Sequence, residues 1–354
     1  MRISREIKFL NLGDGSSNVV ISPFSIEQSL SIIALAANGN TSTELQALLG
    51  HKSDFLLESL SSHSKSYITA NRVYVYSDRS LNEEFQSTIE KRVGYAVAES
   101  IDFRNNYRAA LKINGWIANQ TDQKIQDLIN PDAITGDTRV VLVNAIYFKG
   151  NWKYKFEKEN TFTDDFYVTE TQKKPMEFMQ LKTDFRYNEF KDLDATCVEL
   201  PYEDENVAMY VVLPRKRTGL KDVLQKFYKI DFHTEIVENL IEQKVDVTLP
   251  RFTTEFSTNL NTALKKMGAK TIFSGKADFS NLVNSPEPIE LSEVIHKAVL
   301  EVNEDGVVGA AATEEVLVSR CAPICEYLEA DHPFLYVIYD RNARQMLFLG
   351  EFHS

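Results

Sequence analysis

Apolar and polar positions along this chain follow two periods, and each predicts its own kind of element. Residues 24–35 are apolar with scattered polar positions. Pro23 precedes them, and Ser22 or Ser25 can cap, so a buried helix is predicted. Residues 107–129 show helical spacing, with Ile113, Trp116, Ile117, Ile125, Leu128 and Ile129 on one apolar face. Residues 139–148 are almost unbroken apolar and β-branched, ending at Lys149-Gly150. That run predicts a central strand buried on both faces. Residues 198–200, 207–213 and 245–249 predict strands, with Pro201, Pro214 and Pro250 as stops. Two apolar runs, 334–338 and 345–349, flank residues 339–344 and predict a hairpin. Helices gather in the first third and strands in the last two thirds, which predicts an α+β protein with large, mostly antiparallel sheets.

Composition changes this picture in a few places. The 354 residues carry 39 Lys+Arg against 51 Asp+Glu, a net charge of −12. An acidic balance argues against nucleic acid as partner, because phosphate binding needs a basic stripe. The basic run Pro214-Arg215-Lys216-Arg217 stands before Thr218-Gly219 and reads as a solvated turn. No linker, repeat or low-complexity tract divides the chain, so one domain over residues 1–354 is expected. No window reaches the roughly 18 uninterrupted apolar residues of a membrane span, so no membrane partner is expected. The start, residues 1–7, is charged where a signal peptide needs an apolar core. A cytoplasmic chain and a processed extracellular one both fit. The triplets Asn40-Thr41-Ser42 and Asn119-Gln120-Thr121 match the N-glycosylation pattern, which is too common to decide between them.

Catalytic patterns are missing. The chain has no Gly-x-Ser-x-Gly elbow, no His-Glu-x-x-His and no paired Cys-x-x-Cys. It has no phosphate loop and no dinucleotide fingerprint, and its six histidines are dispersed. No enzyme activity, metal or cofactor is expected. Of the three cysteines, Cys197 lies in a strand-like run and reads as a buried inert thiol. Cys321 and Cys325 form a disulfide ring in an oxidising compartment or stay free thiols in the cytosol; both readings stand.

One segment carries chemistry of a different kind. Residues 294–306 begin as an alternating strand-like run and end in the cluster Glu304-Asp305-Gly306. Val307, Val308, Gly309, Ala310, Ala311, Ala312 and Thr313 come next, all small or β-branched and none charged. Such a tract can slide between existing strands, since neither face must accommodate a bulky side chain; an alanine-rich linker or helix end is the alternative. Beyond it stands Glu314-Glu315-Val316-Leu317-Val318-Ser319-Arg320-Cys321.

With these residues the chain resembles the serpins, a family of serine protease inhibitors. Residues 304–313 are similar to the serpin hinge, and residues 18–26 to the family's opening strand and helix. Further matches are Asn144-Ala145-Ile146-Tyr147-Phe148-Lys149-Gly150-Asn151-Trp152, Glu199-Leu200-Pro201-Tyr202, Ala277-Asp278-Phe279-Ser280 and Asp331-His332-Pro333-Phe334-Leu335. The resemblance implies a serpin fold with three β-sheets, about eight or nine helices and an exposed reactive-centre loop near residues 304–325. It implies a metastable suicide substrate, consumed by a protease in a covalent complex, and a monomer. The family count places the cut bond at Arg320–Cys321, since 320 − 304 = 16. An arginine there fits a trypsin-like protease; Leu317 or Val318 serves another protease class if the register slips. Inhibition of a cysteine protease and a non-inhibitory carrier, chaperone or storage role remain alternatives.

The resemblance also carries Ser22, Ser25, Asn144 and His296 to the region where the main sheet opens, and Trp152 to the place where the loop enters. A satisfied buried network and a plain core tryptophan are the alternatives. Val307 stands where threonine is usual, Gly309 where alanine is usual, and Glu351 where arginine is usual. One of Glu314 and Glu315 would face inward on full insertion, which is costly for an unpaired carboxylate. A short segment before Ala70 and the acidic balance make heparin binding an expected absence.

Overall fold

The computed structural model describes residues 17–50, 66–93, 97–285, 287–304 and 325–354. The helices are α1 (Pro23–Ala36), α2 (Gly39–Leu49), α3 (Glu83–Val93), α4 (Asn106–Gln120), α5 (Leu220–Phe227), α6 (Phe232–Glu235) and α7 (Asn261–Met267). The first strands are β1 (Val19–Ile21), β2 (Tyr67–Tyr76), β3 (Ser80–Leu81), β4 (Ala98–Ile101) and β5 (Val140–Phe148). Next come β6 (Thr161–Tyr167), β7 (Lys173–Phe190), β8 (Ala195–Pro201), β9 (Val207–Pro214), β10 (Ile241–Pro250) and β11 (Phe252–Asn259). The last are β12 (Val283–Asn284), β13 (Leu291–Val302), β14 (Glu326–Glu329), β15 (Phe334–Asp340) and β16 (Gln345–Phe352). Seven helices and three sheets thus lie among the described residues, in a mixed α+β arrangement. The expected prolines are the last residues of β8, β9 and β10.

The chain forms two compact units, one built mainly of residues 21–148 and 255–299, the other of residues 149–254 and 300–354. In the first, a five-stranded sheet runs β11-β13-β5-β2-β4. All nine residues of β5 are buried, as its almost unbroken apolar run predicts. β2 lies antiparallel to β5, with Ala70 opposite Ala145 and Asn71 opposite Asn144. α1 is buried almost all round. Its N-terminus is closed by Ser22, whose hydroxyl accepts from the Ser25 N–H at 3.0 Å, with Pro23 in the first turn. Two of its buried serines are satisfied within the helix: Ser29 donates to Ile26 O and Ser31 to Glu27 O.

The helix predicted over residues 107–129 stops at Gln120. Thr121 ends it: its hydroxyl donates to Ile117 O and accepts from Ile125 N, replacing the next backbone bonds. Asp122, Gln123 and Asp127 have positive φ, so the chain leaves the helical path. The apolar spacing still has a structural meaning. Ile125, Leu128 and Ile129 fold back into the same core cluster as Ile113 and Ile117 of α4. Asn114 holds them there, accepting from Ile129 N and donating to Ile129 O.

In the second unit, a nine-stranded sheet runs β1-β16-β15-β9-β8-β7-β10-β14, with β6 beside β7. Its β10 is antiparallel to β7 and parallel to β14, and β15 is antiparallel to both β9 and β16. The predicted hairpin is β15–β16, with Arg344 at φ 50° in its turn. Gly350 sits under the ring of the fully buried Tyr336, where an added Cβ would collide with the ring carbons.

Candidate functional site

In the first unit, four of the residues singled out from the sequence meet. Ser22 caps α1 just ahead of Pro23, and β5 and β13 bring Asn144 and His296 beside that helix start. The Ser22 N–H donates to His296 Nε2 at 3.1 Å. That nitrogen must therefore be an acceptor, so the ring proton sits on Nδ1 and points at Asn144 Oδ1. The Asn144 amide nitrogen donates to Ser25 O at 3.0 Å, and it also faces Ser25 Oγ and Asn71 Oδ1. His296 is fully buried with no charge to offset that burial, and its pKa is pushed down to about 3. The ring is neutral at physiological pH.

This cluster is not fully satisfied. One amide nitrogen with two hydrogens faces three acceptors, while the buried Asn71 Nδ2 has no partner. An amide left without a partner in the interior costs the fold its lost hydration. Asn71 carries only a faint sequence signal and is absent from the predicted set. That signal is a polar residue in the apolar run of β2, set opposite Asn144 in the antiparallel register.

Trp152 lies in the second unit. Its ring stacks on Tyr202 at 4.5 Å and 10°, and Phe156 packs edge-on at 5.9 Å. Its indole N–H donates to Asn303 O at 2.8 Å. The neighbouring Glu304 is buried and accepts from the Thr161 hydroxyl at 2.9 Å, with Arg251 Nε at 3.8 Å from its other oxygen. Lys158, Thr161, Glu177, Arg251, Asn303 and Glu304 line a polar cavity there. β13 is thus pinned just past its end, at the residue from which the hinge is counted. Thr161 and Arg251 carry no sequence signal of their own; only folding brings them to Glu304.

The proposed hinge residues Asp305, Gly306, Val307, Val308, Gly309, Ala310, Ala311, Ala312 and Thr313 lie outside the described residues. So do Glu314, Glu315, Arg320, Cys321 and the short segment 51–65. The chain is described again from Cys325, a half-buried free thiol, and enters β14 at Glu326. Cys197 is buried, and burial raises its pKa above the useful range for a nucleophile. No grouping of three or more metal-binding side chains occurs among the described residues. No helix among them is long and apolar enough to cross a membrane.

A family model described as serpin (serine protease inhibitor) matches residues 5–354. The chain is 38% identical over 353 residues to serine protease inhibitor 42Dd of Drosophila melanogaster, covering 96% of this chain and 93% of that one. It is 35% identical to the leukocyte elastase inhibitor of Homo sapiens, covering 98% and 96%. Among solved structures it is similar to Serpin48, described as a highly specific serpin in the insect Tenebrio molitor. That likeness has a TM-score of 0.87 at 30% identity, covering 100% of this chain and 96% of that one.

Proposed function

The chain belongs to the serpin family, and from that premise we propose that it is a suicide-substrate inhibitor of a trypsin-like serine protease, cut at Arg320–Cys321. The arginine side chain fits an acidic specificity pocket. The protease serine attacks the Arg320 carbonyl, the Cys321 amine leaves, and an ester joins inhibitor and enzyme. The freed hinge then enters the five-stranded sheet between β13 and β5 before water releases the ester. Each new main-chain hydrogen bond contributes roughly 0.5–1.5 kcal/mol net. Over about a dozen residues that suffices to distort the trapped enzyme. The protein is consumed, acts as a single-domain monomer, and needs neither cofactor nor heparin.

The observation that carries this reading is continuity. β13 ends at Val302, two residues before Glu304, and it already lies next to β5 in the sheet. A small, uncharged tract running on from that strand can fold back as its new neighbour with no large side chain to bury. The His296–Asn144 contact supports the same reading, since it links the two strands that must part. Its neutral partners separate at less cost than an ion pair would.

Glu314 and Glu315 favour a second reading, a non-inhibitory serpin, because full insertion buries one carboxylate. Arg320 also suits a cysteine protease of similar preference. The test is Arg320→Ala against wild type with trypsin. Wild type gives a covalent adduct on a denaturing gel and a released fragment whose first residue is Cys321; the variant gives neither. An undiminished adduct, or a fragment that starts after Leu317 or Val318, overturns the assigned bond.

A further inference from the structure

α4 buries one face and carries an apolar ridge on the other. Ala109, Ala110, Ile113 and Ile117 are buried and belong to the core cluster. Tyr107 and Leu111 stand on the outer side, 75% and 74% exposed, the two most exposed large apolar side chains among the described residues. They are four residues apart, so they lie one above the other on the same helix face. Gly115 takes the next place on that ridge. It is exposed, and a Cβ built on it would meet nothing within 4 Å.

Neither feature serves the fold. Large apolar side chains left in water gain nothing from burial. A glycine inside a helix lowers stability against an ordinary side chain, and nothing within the described residues comes close enough to Gly115 to require one. Bare backbone beside two raised side chains is a shape that lets another chain approach closely.

Charge narrows the partner. α4 contains no carboxylate, in a chain of net charge −12. Arg108 and Lys112, one turn apart and both exposed, flank Tyr107 and Leu111. Lys112 reaches Glu99 at 2.5 Å, and Arg104, just ahead of the helix, reaches Asp102 at 2.9 Å. Arg108 forms no ion pair among the described residues. We propose that this face of α4 is a docking site for an acidic amphipathic helix of another protein. The partner lays one large apolar side chain over Gly115 and sets carboxylates opposite Arg108 and Lys112. A second copy of this chain would bring the same cations against each other. A lipid surface would find two apolar anchors and a gap, under a chain whose net charge opposes anionic headgroups. The docking is independent of the proposed inhibition, since it uses no residue of the loop.

The test uses the intact protein and two synthetic helices, each locked by a hydrocarbon staple. Both carry the same leucine stripe; one has glutamates along its flank and its twin has lysines. Fluorescence anisotropy reads binding. The glutamate helix is expected to bind about tenfold more tightly than the twin, the factor that about 1.4 kcal/mol represents. Leu111→Ser and Gly115→Gln each weaken it by about tenfold. Gly115→Gln does so while raising the unfolding temperature, because glutamine is the better helix former. Arg108→Glu turns the preference toward the lysine twin. Ile241→Ser, at an exposed apolar residue of the other unit, leaves binding unchanged. Equal binding of the twins, equal loss in Ile241→Ser and Leu111→Ser, undiminished binding by Gly115→Gln, or no binding at all overturns the site. Sedimentation that shows the wild type pairing with itself through Leu111, or capture by phosphatidylserine vesicles that Leu111→Ser abolishes, overturns the acidic helix as occupant.

Discussion

His296 shows how one buried side chain makes the fold sensitive to acid. Burial lowers its folded pKa from 6.5 to about 3, so the folded state holds the ring neutral. The unfolded chain takes up a proton below about pH 6.5, while the folded chain does not. Its contribution to stability is therefore whole above that pH and is lost as the pH falls toward about 3, by up to about 1.4 kcal/mol per pH unit. Urea midpoints measured from pH 7 to pH 4 should fall in the wild type and fall less steeply in His296→Gln. Parallel curves would contradict a neutral buried ring. The tautomer is set by a single backbone donor, Ser22 N–H, which no sequence pattern could reveal. The residues of the cluster were legible by resemblance; the hydrogen-bond mismatch at Asn71 was not, because it depends on strand register.

At the level of elements, periodicity located β5, α1 and the β15–β16 hairpin closely, because each is apolar enough for burial to override local preference. It ran past the end of α4 because Ile125 and Ile129 do bury their side chains, in a segment whose backbone is not helical. β7 was missed altogether. Its eighteen residues are half exposed and rich in charge, so a strand of that length leaves little alternation to read. The hairpin offers a sharp test of packing. In Gly350→Ala the new methyl meets the Tyr336 ring, which is enclosed and cannot swing aside. A loss of about 2–3 kcal/mol is expected from overpacking at that site, read as a lower denaturant midpoint. Recovery of part of that loss in Gly350→Ala combined with Tyr336→Leu would assign it to the clash; no recovery would place the cause elsewhere.

On the scale of the whole molecule, β13 stops two residues short of the buried Glu304, and the proposed function has the tract beyond it become that strand's neighbour. Glu304 is held by Thr161 and Arg251, and Asn303 by Trp152, so the strand end is fixed where the tract leaves it. Family membership was legible in six ordered motifs, and a family model spans residues 5–354. The anchors at Glu304 were not legible, since they come from elements far apart in the chain. The most direct measurement is incubation with trypsin and separation on a denaturing gel. Trapping by a cut at Arg320 predicts a band at the summed mass of trypsin and the cleaved inhibitor, stable to boiling. Cleavage after Arg320 with free, active trypsin and no such band would contradict it.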